Sequence, residues 1–208
     1  MYTPSAFRVE DTERLQSFMR EYSFATLVSA SDGVPSATHL PFVIRPEEGR
    51  FGTLVGHMAR ANTLWTTWAR ETEVLVIFTG PHAYISPSWY EQKVTVPTWN
   101  YSAAHAYGKP RLLTDVDQLR LLVRHQTKLY EHQERSTWDQ SLMEEILNSQ
   151  LRAIVGFTIE IERLEGKFKF NQNRGVGDQD GVASTLERSG CPFKRSVGIF
   201  MRSVLRGR

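Results

Sequence analysis

The stretch Phe24-Ala25-Thr26-Leu27-Val28-Ser29-Ala30, then Ser31-Asp32-Gly33, then residues 34–44 beginning Val34-Pro35-Ser36, decides how the rest of the chain is read. Two runs rich in β-branched and aromatic residues are divided by three residues of turn chemistry. So short a connection forces antiparallel pairing, because a parallel crossover needs a dozen residues or more. The texture repeats downstream. Residues 51–58 and 74–79 are again short and β-rich, and they are bounded by Pro46-Glu47-Glu48-Gly49 and Gly80-Pro81. Residues 98–113 supply one further strand or two, and 153–170 return to strand with Phe157, Ile159 and Ile161 alternating.

Helical periodicity flanks these strands. Leu15, Phe18, Met19 and Tyr22 fall at i, i+3, i+4 and i+7, with Asp11 or Thr12 as the cap. Leu64, Trp65 and Trp68 share a face of a short helix over 62–70. Asp115 caps a longer one striped by Leu119, Leu122, Val123, Gln126, Leu129 and Tyr130, and further helices are expected over 141–148 and 181–188. The sum is an α+β β-barrel of six or more antiparallel strands with flanking helices, most simply closed. It reads as one domain over 1–188, followed by a basic tail over 189–208.

The 208 residues suffice for one substantial core, and 40% hydrophobic with 23% charged residues excludes wholesale disorder. The one cysteine, Cys191, cannot form an intrachain disulfide, which excludes a secreted disulfide scaffold and favours a reducing compartment. No signal pattern and no apolar run of membrane-spanning length is present, so a soluble, cytoplasmic protein without membrane contact is expected. Net charge is +2, but residues 191–208 hold Lys194, Arg195, Arg202, Arg206 and Arg208 with no acid. Such a segment binds phosphates or simply keeps a terminus solvated.

Three stretches invite a ligand. In Gly56-His57-Met58-Ala59-Arg60-Ala61-Asn62, a strand-to-helix junction offers unpaired N–H groups, an arginine fork and two side-chain donors, which suit a phosphate. The plainer reading makes Arg60 a surface residue and Asn62 an ordinary cap. Tyr84 to Tyr90 and Val96-Pro97-Thr98-Trp99-Asn100-Tyr101 set aromatics beside Ser, Thr and Asn. That mix suits a planar heteroaromatic ring, a barrel rim or a dimer interface. Lys167-Phe168-Lys169-Phe170-Asn171-Gln172-Asn173 puts two lysines on one strand face, either against an anion or along a solvated edge.

Other chemistries lack their signatures. The Gly175–Gly181 region is not GxGxxG, and no βαβ unit surrounds it. The histidines at 39, 57, 82, 105, 125 and 132 show no zinc-ligand spacing, so no metal is expected. No GxSxG elbow and no basic recognition helix of helix–turn–helix type is seen, which leaves catalytic residues unassigned and direct DNA reading in doubt.

Taken in order, the same stretches resemble the PaiB family. The opening Met1-Tyr2-Thr3-Pro4-Ser5-Ala6-Phe7 is similar to that family's, as are Thr38-His39-Leu40-Pro41-Phe42 and the 56–62 stretch. Phe78-Thr79-Gly80-Pro81-His82-Ala83-Tyr84-Ile85-Ser86-Pro87-Ser88-Trp89-Tyr90, the 96–101 stretch and Ala153-Ile154-Val155-Gly156-Phe157 follow in the family's order. The resemblance implies an FMN-binding split barrel related to pyridoxamine-phosphate oxidases, a homodimer with flavin near the subunit interface, and a bacterial negative regulator of transcription. It makes His39, His57, Arg60 and Asn62 phosphate-side candidates. Trp89, Trp99, Asn100 and Tyr101 become ring-side or interface candidates, and Lys167, Lys169 and Gln172 candidates from the other subunit. The family reads Lys-Trp-Lys-Leu-Ser-Gln-Asn where this chain has residues 167–173, so flavin affinity differs here if the replaced residues touch it. It also places proline where this chain has Thr63. Alongside the regulator stand a flavin-dependent oxidoreductase, in which the flavin does the chemistry, and a barrel that binds partners without flavin. Split barrels host several activities, so enzyme status stays open.

Overall fold

The computed structural model describes residues 1–31, 33–69, 71–92, 94–139 and 141–207, with only the backbone of Ser31, Leu142 and Glu145. Asp32 of the first expected turn, Arg70 at the end of the expected helix and Arg208 of the basic segment lie outside the described residues. The chain divides into two compact units. One comprises Met1–Phe18, Phe78–His105 and Glu165–Arg208, and the other Met19–Ile77 and Ala106–Leu164.

The strands are β1 (Arg8–Val9), β2 (Phe24–Ser31), β3 (Val34–Pro41), β4 (Val43–Arg45), β5 (Thr53–Ala59), β6 (Val74–Ile85), β7 (Thr98–Gly108), β8 (Pro110–Leu112), β9 (Ile154–Glu160) and β10 (Arg163–Lys169). The α-helices are α1 (Thr12–Glu21), α2 (Val116–Gln133), α3 (Ser141–Arg152), α4 (Val176–Glu187) and α5 (Pro192–Arg206). β6 and β7 contribute residues to both units. Hydrogen bonding orders the strands β1-β10-β7-β6 in the first unit, and β6-β2-β3 and β4-β5-β9-β8 in the second. These orders give antiparallel sheets with flanking helices, as expected, and close no ring among the described residues.

In the first unit, α1 starts where Asp11 Oδ1 accepts the Arg14 N–H at 3.1 Å, satisfying one of the helix's orphan donors. It buries Leu15 and Phe18. The Phe18 ring lies 4.9 Å from Phe168 of β10, and Phe200 of α5 meets Phe168 at 5.4 Å and Phe170 at 5.2 Å. Gly80-Pro81, expected as a turn, instead lies inside β6. A Cβ at Gly80 would fall 2.6 Å from the Phe18 ring and 2.4 Å from Ser102 Oγ. This glycine allows close packing rather than a reversal.

In the second unit, β2 and β3 pair from Phe24↔Pro41 to Ser31↔Val34, the hairpin that the opening stretch predicts. Asp115 caps α2 by accepting the Asp117 N–H at 2.8 Å. Leu119 and Leu122 of α2 then pack with Leu147 and Leu151 of α3 over Val55 of β5. A second cluster sets Phe157 against Phe42 at 6.1 Å and Trp68 at 5.0 Å. The helix expected over 62–70 is only a 3-10 turn, Thr63–Thr67. The single strand expected over 153–170 is two, β9 and β10.

The basic tail expected over 189–208 is largely α5. Its Val197, Met201 and Val204 are buried, which places a packed amphipathic helix where charge alone suggested a solvated end.

Candidate functional site

Seven of the eleven candidate residues belong to the first unit, and the pleat of β7 divides those it carries. Asn100, 0% exposed, points into the core, where its Nδ2 meets the Met201 sulfur at 3.6 Å. Its Oδ1 has no hydrogen-bond partner. Trp99 and Tyr101 face the other way. Trp99 is 54% exposed, and its ring lies edge-on to Tyr84 of β6 at 6.1 Å and tilted to His82 at 6.4 Å.

β10 shares that outward face. Phe168 and Phe170 are buried, so the alternating Lys167 and Lys169 stand on the opposite side of the strand. Lys167 donates to the Tyr2 carbonyl at 3.0 Å and lies 5.2 Å from the Tyr101 ring centroid. Lys169 donates to Thr98 Oγ1 at 2.5 Å and to the Trp99 carbonyl at 3.0 Å. Burial, with Lys167 nearby, pushes the Lys169 ammonium below the usual lysine range. An ammonium has three N–H groups, so Lys169 keeps one for a ligand. The adjacent strands β10, β7 and β6 thus offer two lysines, Trp99, Tyr101, His82 and Tyr84 on one side. Flat rings beside a desolvated ammonium suit a planar, anionic heteroaromatic group.

Gln172 does not join that face. Its Oε1 accepts the Phe170 N–H at 2.6 Å and its Nε2 donates to the Phe168 carbonyl, so it ties off the end of β10. Trp89 closes the 3-10 turn Pro87–Trp89, and its carbonyl lies 2.6 Å from where a Gly181 Cβ would sit. Its main chain thus lies close against α4. The departures from the family at Phe168 and Asn171 are likewise buried. Asn171 adopts φ +62°, which asparagine tolerates better than most residues. Its Nδ2 donates to the Tyr90 hydroxyl at 2.7 Å. Tyr84, from the aromatic stretch 84–90, lies on the face, and residues missed in the sequence are His82 beside it and Asp178, which accepts the Glu91 N–H at 2.9 Å and the Gln92 N–H at 3.2 Å. The alternation of β6 held the signal for His82, which the supposed turn at Gly80 obscured.

The other four candidates lie in the second unit. Asn62 bridges the junction, accepting the Leu64 N–H at 3.1 Å and donating to Thr38 Oγ1 at 3.1 Å. His39, the next residue on β3, points to the opposite face and pairs through Nδ1 with Thr26 Oγ1 at 3.0 Å. The structure therefore does not bring Asn62 and His39 together. Arg60 spends part of its fork on main chain, with Nε to the Arg152 carbonyl at 2.9 Å and Nη2 to the Ile154 carbonyl at 2.9 Å. Three of its five N–H groups remain for an anion. The five-residue 3-10 turn offers a far weaker dipole than the expected helix. His57 sits beside Gln126 of α2, and burial pushes its imidazole below the usual histidine range while Gln126 opposes the shift. Even so, His57 Nδ1 and Gln126 Oε1 make no hydrogen bond of normal geometry.

No group of three metal-ligating side chains is found among the described residues, nor a helix long and apolar enough to cross a membrane.

The family model described as "Putative FMN-binding domain" matches residues 1–163. The chain is 37% identical over 207 residues to the Bacillus subtilis (strain 168) protein named Protease synthase and sporulation protein PAI 2, covering 99% of each. It is 30% identical over 242 residues to an uncharacterised Emericella nidulans protein, covering 97% of this chain and 96% of that one. Among solved structures, the FAD and heme binding protein from Mycobacterium smegmatis superposes with TM-score 0.59 at 16% identity, over 85% of this chain and 79% of that one. A Bacteroides thetaiotaomicron protein described as a 5-nitroimidazole antibiotic resistance protein gives TM-score 0.56 at 16% identity, over 77% of this chain and 85% of that one. At such identities the structural likeness shows the fold alone, that of the split barrel. On the domain match and the full-length similarity together, the chain belongs to the PaiB family and has its split-barrel fold.

Proposed function

We propose that this chain is a cytoplasmic, FMN-binding homodimer that acts as a PaiB-like negative regulator of transcription. Membership of a family described as FMN-binding supports the cofactor. The observation that carries the reading is the outward face of β10, β7 and β6, where Lys169 keeps an ammonium N–H beside the exposed Trp99. There Lys169 would hold the anionic part of the flavin, and Trp99 with Tyr101 would stack or border its ring. Bound flavin would supply a redox-active, light-absorbing ring, and these residues orient it and exclude water from one side. Arg60 and Asn62 are proposed as phosphate contacts supplied by the other subunit of the homodimer, in keeping with the family resemblance that puts flavin near the subunit interface. Tyr84 and Trp99 also give the exposed aromatic surface that subunit interfaces favour.

The absorbance spectrum of the protein as purified, followed by titration of flavin-free protein with FMN and FAD, tests this reading. Saturation with one FMN per chain, tighter than FAD, is expected, and sedimentation should return the mass of two chains. Absence of any flavin binding would remove the cofactor reading. NAD(P)H-dependent bleaching of bound flavin would instead make the chain an oxidoreductase.

A further inference from the structure

We propose that the exposed side of α5 is a docking surface for the phosphate backbone of duplex DNA. The inference deepens the regulator reading, and rests on it for choosing DNA among polyanions. Residues 188–207 contain no acid, and among the described residues Arg188, Lys194, Arg195 and Arg206 form no ion pair and all are exposed. Arg202 differs. It is turned inward onto Asp180 at 2.5 Å, onto Glu187 at 3.2 Å and onto Ser184 Oγ at 2.9 Å, and it fastens α5 to α4.

Arg188 and Arg206 stand at the C-terminal ends of α4 and α5, where the helix dipole favours positive charge, and Arg195 gives one N–H to the Ser189 carbonyl at 2.8 Å. Lys194 and Arg195 are the third and fourth residues of α5, at the helix end whose dipole disfavours positive charge. Arg195 is held there by Ser189, but the Lys194 ammonium breaks this rule with no partner among the described residues, which points to an external one. The platform is rigid. A Cβ on Gly198 would come within 2.9 Å of the Glu187 side chain and 3.0 Å of its backbone nitrogen, so α5 lies close against the end of α4. Val197, Met201 and Val204 are buried; of the exposed apolar side chains Phe193 packs edge-on to His82 at 5.0 Å and Ile199 stands apart from it, too little apolar surface to enter a lipid layer. From Lys194 to Arg206 the row spans about 18 Å at the α-helical rise. A mixed-charge protein partner would be met by acids as well as bases. Cations at both ends of α5, with no acid between them, suit the phosphates of a duplex. Both α4 and α5 lie beyond residues 1–163, so the FMN-binding domain match assigns them nothing.

The test is fluorescence anisotropy of a labelled mixed-sequence 30-base-pair duplex with the full chain at rising NaCl. The wild type is compared with Lys194→Ala/Arg195→Ala/Arg206→Ala and with a charge-matched control, Arg111→Ala/Lys128→Ala/Arg152→Ala. The α5 variant should bind at least tenfold more weakly, and the slope of log affinity against log salt should shrink by about one per residue removed. The control should stay near wild type. Equal losses in both variants would overturn the proposal, as would wild-type binding to phosphatidylserine vesicles but not to the duplex, or no DNA binding at all. Titration of the same proteins with FMN keeps the two readings apart. Intact FMN binding with no DNA binding sinks the α5 surface alone, whereas α5-dependent DNA binding without FMN sinks the flavin reading alone.

Discussion

The Lys169 ammonium lies 3.0 Å from the Trp99 carbonyl oxygen, so the lysine of β10 is anchored to the backbone that carries the exposed indole of β7. A flexible four-carbon side chain is thereby fixed beside a flat ring before any ligand arrives. Pre-ordering of this kind lowers the entropy lost on binding.

The proposed function gives Arg60 a double role. Its Nε and Nη2 fasten the start of β9, and its remaining donors are assigned to the phosphate. Arg60→Ala should weaken FMN binding by about 1.5–3 kcal/mol, the range for a hydrogen bond to a charged group. Arg60→Lys should not restore it, because an ammonium cannot reproduce the fork. FMN titration by fluorescence quenching decides the matter, and unaltered affinity in Arg60→Ala would remove Arg60 from the site.

His57 should make the protein acid-sensitive. Its folded-state pKa is depressed by burial, so between that value and the unfolded value of about 6.5 the unfolded chain binds more protons. Unfolding free energy therefore rises with pH across that window and is lost as pH falls through it, by at most about 1.4 kcal/mol per pH unit. Urea denaturation of wild type and His57→Gln between pH 5 and 7 measures the difference. The two curves should diverge from neutral pH downward, and parallel curves would contradict the assignment.

Asn171 should matter for stability rather than for flavin. Asn171→Ala removes the hydrogen bond to Tyr90 and puts alanine at positive φ, for a combined loss of about 2–3 kcal/mol. Asn171→Gly should lose only about 1 kcal/mol, the hydrogen-bond share. Chemical denaturation gives the order, and an alanine variant more stable than the glycine variant would refute the backbone argument.

Gly198→Ala should destabilise the α4–α5 pair. The added methyl meets the Glu187 nitrogen and Leu186 Cβ at 3.0 Å, and overpacking of this kind costs about 1–3 kcal/mol. Hydrogen exchange should show faster opening of 192–206 than in wild type, and unchanged protection would mean that the contact relaxes freely.

Much of this was legible in the sequence, for reasons that particular residues make plain. The β2–β3 hairpin, the Asp11 and Asp115 caps and the stripe Leu15-Phe18-Met19 are local patterns, and local patterns survive folding. Gly80-Pro81 misled because composition cannot tell a glycine that turns from one that admits Phe18. The basic segment hid α5, although Val197, Met201 and Val204 at i, i+4 and i+7 were there to be read. The partners of Arg60 at Arg152 and Ile154 are distant along the chain, and nothing in the spacing of 56–62 announces them. Spacing likewise does not show that the Gln172 amide is engaged by its own strand end, at Phe168 and Phe170.

The most direct test is isothermal titration of flavin-free protein with FMN, comparing wild type with Lys169→Met. One site per chain in the wild type and a loss of about tenfold or more in the variant, with the fold intact by circular dichroism, is the predicted result. Equal FMN affinity in the two proteins would contradict the placement of the flavin on the face of β10, β7 and β6.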